Sequence, residues 1–260
     1  VAKKPSTWSF EDTASLGCVD LSLPFGMLSL KLFYHELGLM RLNVCRVSFI
    51  TALMALGSGL KPPLPFLKDG PTTDFRPSSV LILGGSSALG AATIQLLRLA
   101  VPGCKILVTS SPKHYSHLNS MGADTAIDRS STTLVADVKS ATPGSRGVDG
   151  IIDAVGAGST ERHVFDAFDP NGPKKYAQVW TGADEIEVPG GVDSVLFRSR
   201  DVVKLQGGGN VTLALQTLLE EGKYKLPLPT RKVGEGLDGL KKALDLVRKG
   251  VSGEKLVVSI

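Results

Sequence analysis

The sequence predicts an α/β fold, a doubly wound parallel sheet, and three observations carry that expectation. From Val80 onward short aliphatic runs alternate with amphipathic stretches, the pattern of βαβ units in which each helix buries an apolar stripe on a sheet face. The first aliphatic run passes straight into a Gly/Ser cluster and a proline-free helix, LILGGSSALGAATIQLLRLA over 81–100. Ahead of it, residues 60–77 hold five prolines and read as a connection. With 260 residues, 42% of them hydrophobic, the chain can bury the core such a sheet needs.

In chain order, PSTWSFEDTASLG, from Pro5 to Gly17, places Ser9 before Glu11 and Asp12, the chemistry of a capped helix start. FITALMAL, from Phe49 to Leu56, is a second helical patch. Strands are then expected over 80–84, 105–109, 124–127, 148–153, 175–180 and 202–206. Helices are expected over 88–101, 112–121, 132–141, 159–168 and 211–222. A last helix over 236–249 precedes a short strand, EKLVVSI.

Composition excludes several classes. The net charge is +4, with Lys and Arg spread along the chain, so no nucleic-acid surface is expected. Cys18, Cys45 and Cys104 show neither C-x-x-C spacing nor neighbouring histidines, which argues against a disulfide framework or a structural metal and for thiols in a reducing cytosol. The apolar run Leu21 to Leu42 is broken by Pro24, Lys31, His35, Glu36 and Arg41, too polar for the ~20-residue span of a bilayer. The start, VAKKPSTWSF, shows no signal peptide, and a cytoplasmic location is expected. Its first residue is Val, as in a fragment or a processed chain.

The Gly/Ser cluster is the candidate site. A pyrophosphate at a βα junction needs a tight turn, close backbone N–H groups and the positive end of a helix. Gly85, Ser87 and Gly90 occupy the three positions of G-x-G-x-x-G, with a small hydroxyl in place of the middle glycine. The candidate phosphate contacts are therefore Gly85, Ser86, Ser87, Ala88, Leu89 and Gly90; a purely structural strand–helix turn is the alternative. At the end of the second strand, VTSSPKHY over 108–115 lacks the carboxylate that would hold a ribose 2′-OH. Ser110 and Ser111 can donate to a 2′-phosphate and Lys113 can neutralise it, which favours NADPH. An ordinary helix cap followed by a solvated lysine is also consistent with this stretch, and both can hold together. Arg129, in AIDRSS, reaches the same phosphate or the adenine, or is a plain surface arginine.

GGSSALGAATIQLLRLA, SMGADTAID, GVDGIIDAVG and VSGEKLVVSI, in this order, resemble the medium-chain dehydrogenase/reductase superfamily, in its zinc-independent quinone-reductase-like and fungal trans-acting enoyl-reductase-like branch. The resemblance covers the chain from about residue 78 to its end, with PSTWSFEDTASLG and FITALMAL. It implies cofactor contacts from Ser86 to Leu89, from the Ser-Pro-x-x turn Ser111 to His114, and from Arg129, where many relatives carry Tyr. It also implies that Asp153 serves turn or packing geometry, that Val155 forms a cofactor wall, and that Trp180 and Thr181 line the nicotinamide side, a core tryptophan being the alternative. Hydride transfer to an activated C=C or C=O of a small-molecule substrate follows, with no catalytic residue assignable and His163 read as structural. A homodimer through sheet edges is common in such proteins.

Two departures from the family pattern stand out. Relatives begin with a GroES-like domain of roughly one hundred residues, of which only the returning strand EKLVVSI is recognisable here. About thirty residues, 18–48, have no counterpart; they read either as a helical hairpin or, the favoured hypothesis, as a retained intron in the gene model. Transcripts carrying the segment in one frame, with no shorter spliced form, would refute the second. The domain boundaries expected are 1–77 for the helical segment and connection, 78–222 for the dinucleotide-binding domain and 223–260 for the returning C-terminal unit. The functional alternatives are an NADPH-dependent oxidoreductase and a non-catalytic NADP(H)-binding module.

Overall fold

The computed structural model describes residues 47–182 and 185–259. The helix start at Pro5–Gly17, the thiols of Cys18 and Cys45, and all but the last two residues of the 18–48 segment lie outside the described residues.

Helix α1, Val47–Met54, continues into π-helical turns over Ala55–Leu60, so FITALMAL is helical as its pattern predicts. Lys61 ends it in the left-handed region, φ 62°, with its N–H on Leu56 O at 2.6 Å. The proline-rich connection follows and carries two successive tight turns, with Leu67 N–H on Leu64 O at 3.0 Å and Gly70 N–H on Leu67 O at 2.9 Å.

Six strands then form one sheet: β1 Ser79–Leu83, β2 Lys105–Ser110, β3 Thr125–Asp128, β4 Gly150–Asp153, β5 Lys175–Val179 and β6 Asp193–Phe197. Their order is β3-β2-β1-β4-β5-β6, every pair parallel. This is the doubly wound arrangement expected, and the order reverses between β1 and β4. The register sets Leu83 opposite Asp153 and Ser110 opposite Asp128, so the carboxyl ends of the strands share one edge.

Both faces are covered, which explains why β1 reads as an unbroken aliphatic run. Val80 and Ile82 point to a core built with α1, helix α2 (Ala88–Ala100) and helix α5 (Val211–Glu220). Leu81 and Leu83 point to the opposite core, with Leu134 and Val138 of helix α4 (Leu134–Ser140) and with Phe165 and Tyr176 in edge-to-face contact, centroids 5.0 Å apart. Helix α3, Tyr115–Ser120, follows a 3-10 turn at Pro112–His114 after β2. Cys104 lies in the first core, and burial pushes its thiol up to about 12, so it packs as a small apolar group.

Three expectations about elements are corrected. The sixth strand is Asp193–Phe197 rather than 202–206. VVKLQ is apolar enough for a strand, but the chain turns back at Gly207–Gly209 and residues Ser199–Lys204 wind into a 3-10 helix. The true strand begins on a Lys175–Asp193 ion pair of 3.2 Å across its first rung with β5. The helix expected over 159–168 is two 3-10 segments, Ala157–Ser159 and Arg162–Ala167, because Asp153 draws the preceding turn tight. Finally, a strand absent from the expectation, β7 (Thr230–Glu235), pairs in parallel with β8 (Lys255–Ser259) around helix α6 (Gly236–Arg248).

Candidate functional site

The site grows from the end of β1. Gly84 adopts φ +79°, a conformation that side chains rarely tolerate, and this lets the strand reverse into α2. Its N–H donates to Thr109 Oγ1 at 3.0 Å, and Gly85 N–H donates to Thr109 O at 2.9 Å, so the neighbouring strand holds the turn. A Cβ on Gly90 would strike Gly84 O and come within 2.8 Å of Gly85 Cα, so the helix sits directly on the turn.

Ser87 caps α2. Its Oγ accepts from Gly90 N–H at 2.9 Å, and its carbonyl accepts the first helical bond, from Ala91 N–H, at 2.9 Å. The hydroxyl proton stays available to donate. The remaining first-turn N–H groups lack an intrahelical acceptor and point out of the helix end. Ser86, Ser87, Ala88 and Leu89 are half-buried, Gly85 and Gly90 buried.

Across the point where the sheet order reverses, Val155 leans over Gly84: a Cβ on that glycine would collide with the Val155 methyls, although Val155 is 51% exposed. Asp153 fixes this wall. Its fully buried carboxylate accepts from Val155 N–H at 3.1 Å, Ala157 N–H at 3.0 Å, Gly158 N–H at 2.8 Å and Tyr176 OH at 2.7 Å. Burial, then the Asp153 charge, pushes the Tyr176 hydroxyl well above its ordinary range, so it stays protonated and donates. The turn-shaping role expected of Asp153 is thus visible as four hydrogen bonds.

At the end of β2 the expected residues gather but differ in exposure. Ser111 takes the cap position of the Pro112–His114 turn without a side-chain cap bond, and Lys113 is exposed. Arg129 is exposed beside them, its N–H on Ser110 O at 3.1 Å. Ser110 itself is 1% exposed and its hydroxyl has no partner, an orphan worth about 1–3 kcal/mol unless something reaches it. Ser110, expected with Ser111 to donate to a 2′-phosphate, lies beneath the turn, because it ends the buried strand. Asp128, opposite Ser110, supplies a carboxylate near this end after all, but Ser130 N–H and OH hold its Oδ1 at 3.0 and 2.7 Å, and those bonds keep its pKa low.

On the other side, Trp180 N–H donates to Phe197 O at 3.0 Å and the Arg198 guanidinium lies 4.6 Å from the Trp180 ring centroid, so the indole is half-buried under a cation. A cleft of about 370 Å³ runs from Val155 and Gly156 to Thr181, bounded by Arg162, Gln178 and Glu187. His163 is exposed.

Gly84, Thr109 and Tyr176 escaped the sequence reading. Gly84 was detectable, since it directly follows the aliphatic run; the other two act through strand pairing, which no local pattern reveals. The cradle closed by Gly90, the open wall at Val155 and the orphan hydroxyl of Ser110 fit a bound dinucleotide.

Fold and turn together define a doubly wound α/β protein of the Rossmann class. A family profile described as "Zinc-binding dehydrogenase" matches residues 88–221. The chain is 32% identical over 236 residues to the trans-enoyl reductase mpsG of Macrophomina phaseolina (strain MS6), covering 80% of this chain and 62% of that protein. It is 28% identical over 248 residues to the trans-enoyl reductase poxP of Penicillium oxalicum, covering 88% and 62%. The crystal structure of CurK enoyl reductase shares the fold, with a TM-score of 0.60 and 21% identity over 82% of this chain and 60% of that one. The chain belongs to the medium-chain dehydrogenase/reductase superfamily, in its enoyl-reductase-like branch. It spans about three fifths of the length of those two curated relatives.

The profile's name implies zinc. Among the described residues no three His, Cys, Asp or Glu side chains converge on a common point, and burial pushes the Cys104 thiol up to about 12, so the described residues do not fit that ion. No helix among the described residues is long and apolar enough to cross a membrane.

Proposed function

We propose that this chain carries the cofactor-binding portion of an NADPH-dependent oxidoreductase that reduces an activated C=C, the enoyl reaction named for its fungal relatives, or an activated C=O. The observation that carries the reading is the cradle after β1, in which Gly90 closes on Gly84 while Val155 faces it across the sheet reversal. Open α/β sheets bind ligands outside the carboxyl ends of their strands, at this reversal. The nicotinamide supplies a hydride from its C4 when bound.

The chain's own part is binding and orientation. The N–H groups of Ser86 to Leu89, with the Ser87 hydroxyl, hold the diphosphate at the helix end. Val155 limits how far the cofactor slides toward β4. Ser111, Lys113 and Arg129 meet the 2′-phosphate, with His114 beside them and Ser110 beneath; Lys113 makes no ion pair among the described residues. In this reading residues 78–222 form the cofactor domain and 223–260 the returning unit. The protein is cytoplasmic and pairs through a sheet edge.

Fluorescence titration with NADPH and NADH, followed by NADPH oxidation in the presence of enones or quinones, tests this. Tighter binding of NADPH and turnover of an enone are expected. Tighter binding of NADH would remove the argument from Ser111, Lys113 and Arg129, and binding without turnover would favour a non-catalytic module.

A further inference from the structure

We propose that His114 ties recognition of the phosphorylated cofactor to proton uptake: the 2′-phosphate and a proton on the His114 ring enter together, so preference for NADPH over NADH grows as pH falls. The proposal rests on the cofactor reading above and adds to it a residue that discriminates and a sign.

His114 closes the turn after β2 and touches the segment before β8. Its Nε2 lies 3.1 Å from Ser252 Oγ. Gly253, at φ +71°, lies against the ring so closely that a Cβ there would run into the imidazole. The segment therefore roofs the histidine without offering it an anion.

The charges facing it are cations. Partial burial, then Lys113 beside it, His117 on α3 and Arg129 after β3, hold the His114 pKa below its ordinary value. His117 is itself engaged, its Nε2–H donating to Pro227 O at 2.9 Å. The carboxylates nearby are committed: Asp128 to Ser130, and Glu254, next to Gly253, to Arg231 at 3.0 Å. Lys255 follows on β8. Tyr115 sits near Asp128 and, through burial and that charge, stays a phenol.

A neutral histidine among cations changes state when a dianion arrives. An opposite charge within ~4–6 Å favours the protonated ring, and Lys113 and Arg129 would no longer dominate its surroundings. The proton comes from solvent and rests on a ring nitrogen; no covalent bond is made or broken. The phosphate behaves oppositely. Its second pKa, about 6 in water, falls among cations, so the ligand sheds protons on binding. Net uptake therefore requires a base on the protein.

Calorimetry of the full chain near neutral pH, in two buffers of different ionisation heat, counts protons for 2′,5′-ADP and 5′-AMP; the difference isolates the 2′-phosphate. Net uptake is expected for the natural chain and His117→Gln, reversing to release in His114→Gln. Ser252→Ala, which keeps the imidazole, retains uptake. One linked proton limits the slope to tenfold per pH unit, and a tightening of roughly two- to fivefold for 2′,5′-ADP relative to 5′-AMP per unit of falling pH is expected. Imidazole NMR should show the His114 titration moving up on binding. Equal proton counts in the natural chain and His114→Gln overturn the proposal, as does uptake lost only in His117→Gln. Equal affinity for the two nucleotides removes the NADPH reading and this inference with it, and no binding of either removes the dinucleotide site itself.

Discussion

Two βαβ units of the same topology behave differently in this chain. In the β1–α2–β2 unit every residue of β1 is buried, and α2 buries nine of its thirteen residues. In β7–α6–β8 the helix is also thirteen residues long, yet buries only Gly239 and Ala243, while Leu237 stands 84% exposed and β7 shows Arg231, Lys232 and Glu235 to solvent. Local chemistry winds both helices; coverage alone separates them. The first unit draws its stability from two cores, whereas the second is held chiefly by its own ladder and a thin seam where a Cβ on Gly234 would come within 2.7 Å of Gly239.

The contrast breaks most sharply at Asp153. Asp153→Ala strands four donors, two of them in buried bonds, and a loss of about 3–5 kcal/mol is expected in urea unfolding, as when one member of a buried charged network is removed. A loss under 1 kcal/mol would mean that water replaces the carboxylate. Next, Leu81→Ala in β1 should cost about 2–5 kcal/mol by opening a cavity between packed layers. Val257→Ala in β8, although 9% exposed, should cost less than half as much, since its surroundings can relax. Equal losses would show the two units to be equally supported. Ser87→Ala removes the cap of α2 and should lower stability by about 1 kcal/mol, with Ser87→Gly nearer neutral. Smallest of all, Leu237→Ser should change the unfolding midpoint by no more than the ±0.5 kcal/mol typical of uncovered surface positions. A larger loss would show that something packs on that face of α6.

The same contrast explains what could be read from the sequence. The first unit was legible because burial on both faces demands an unbroken aliphatic strand, VLIL, and a helix whose apolar stripe starts at a glycine turn. Gly85, Ser87 and Gly90 follow from that geometry, and five of six strands were found at their places. β7 was invisible, since TRKVGE carries one branched aliphatic residue and an exposed strand needs no apolar alternation. VVKLQ misled for the opposite reason: Val202 and Leu205 pack a 3-10 turn against the core rather than forming a rung of the sheet, while Val203 is exposed. At the site, the exposed Lys113 and Arg129 were legible by type. The burial of Ser110 depends on the strands paired on either side of β2, and the contact between His114 and Ser252 joins residues 138 positions apart, both beyond any local pattern.

The knot that Asp153 ties around residues 155–158 has a consequence for exchange of whatever lies against Val155. With three amides and a phenol locked onto one carboxylate, that shoulder of the crevice is set before a ligand arrives and stays set after it leaves. Little ordering entropy is spent there on association. In the proposed dinucleotide complex, tuning of entry and exit by a single side chain would then fall to the segment over His114, which belongs to the thinly covered second unit, rather than to this shoulder.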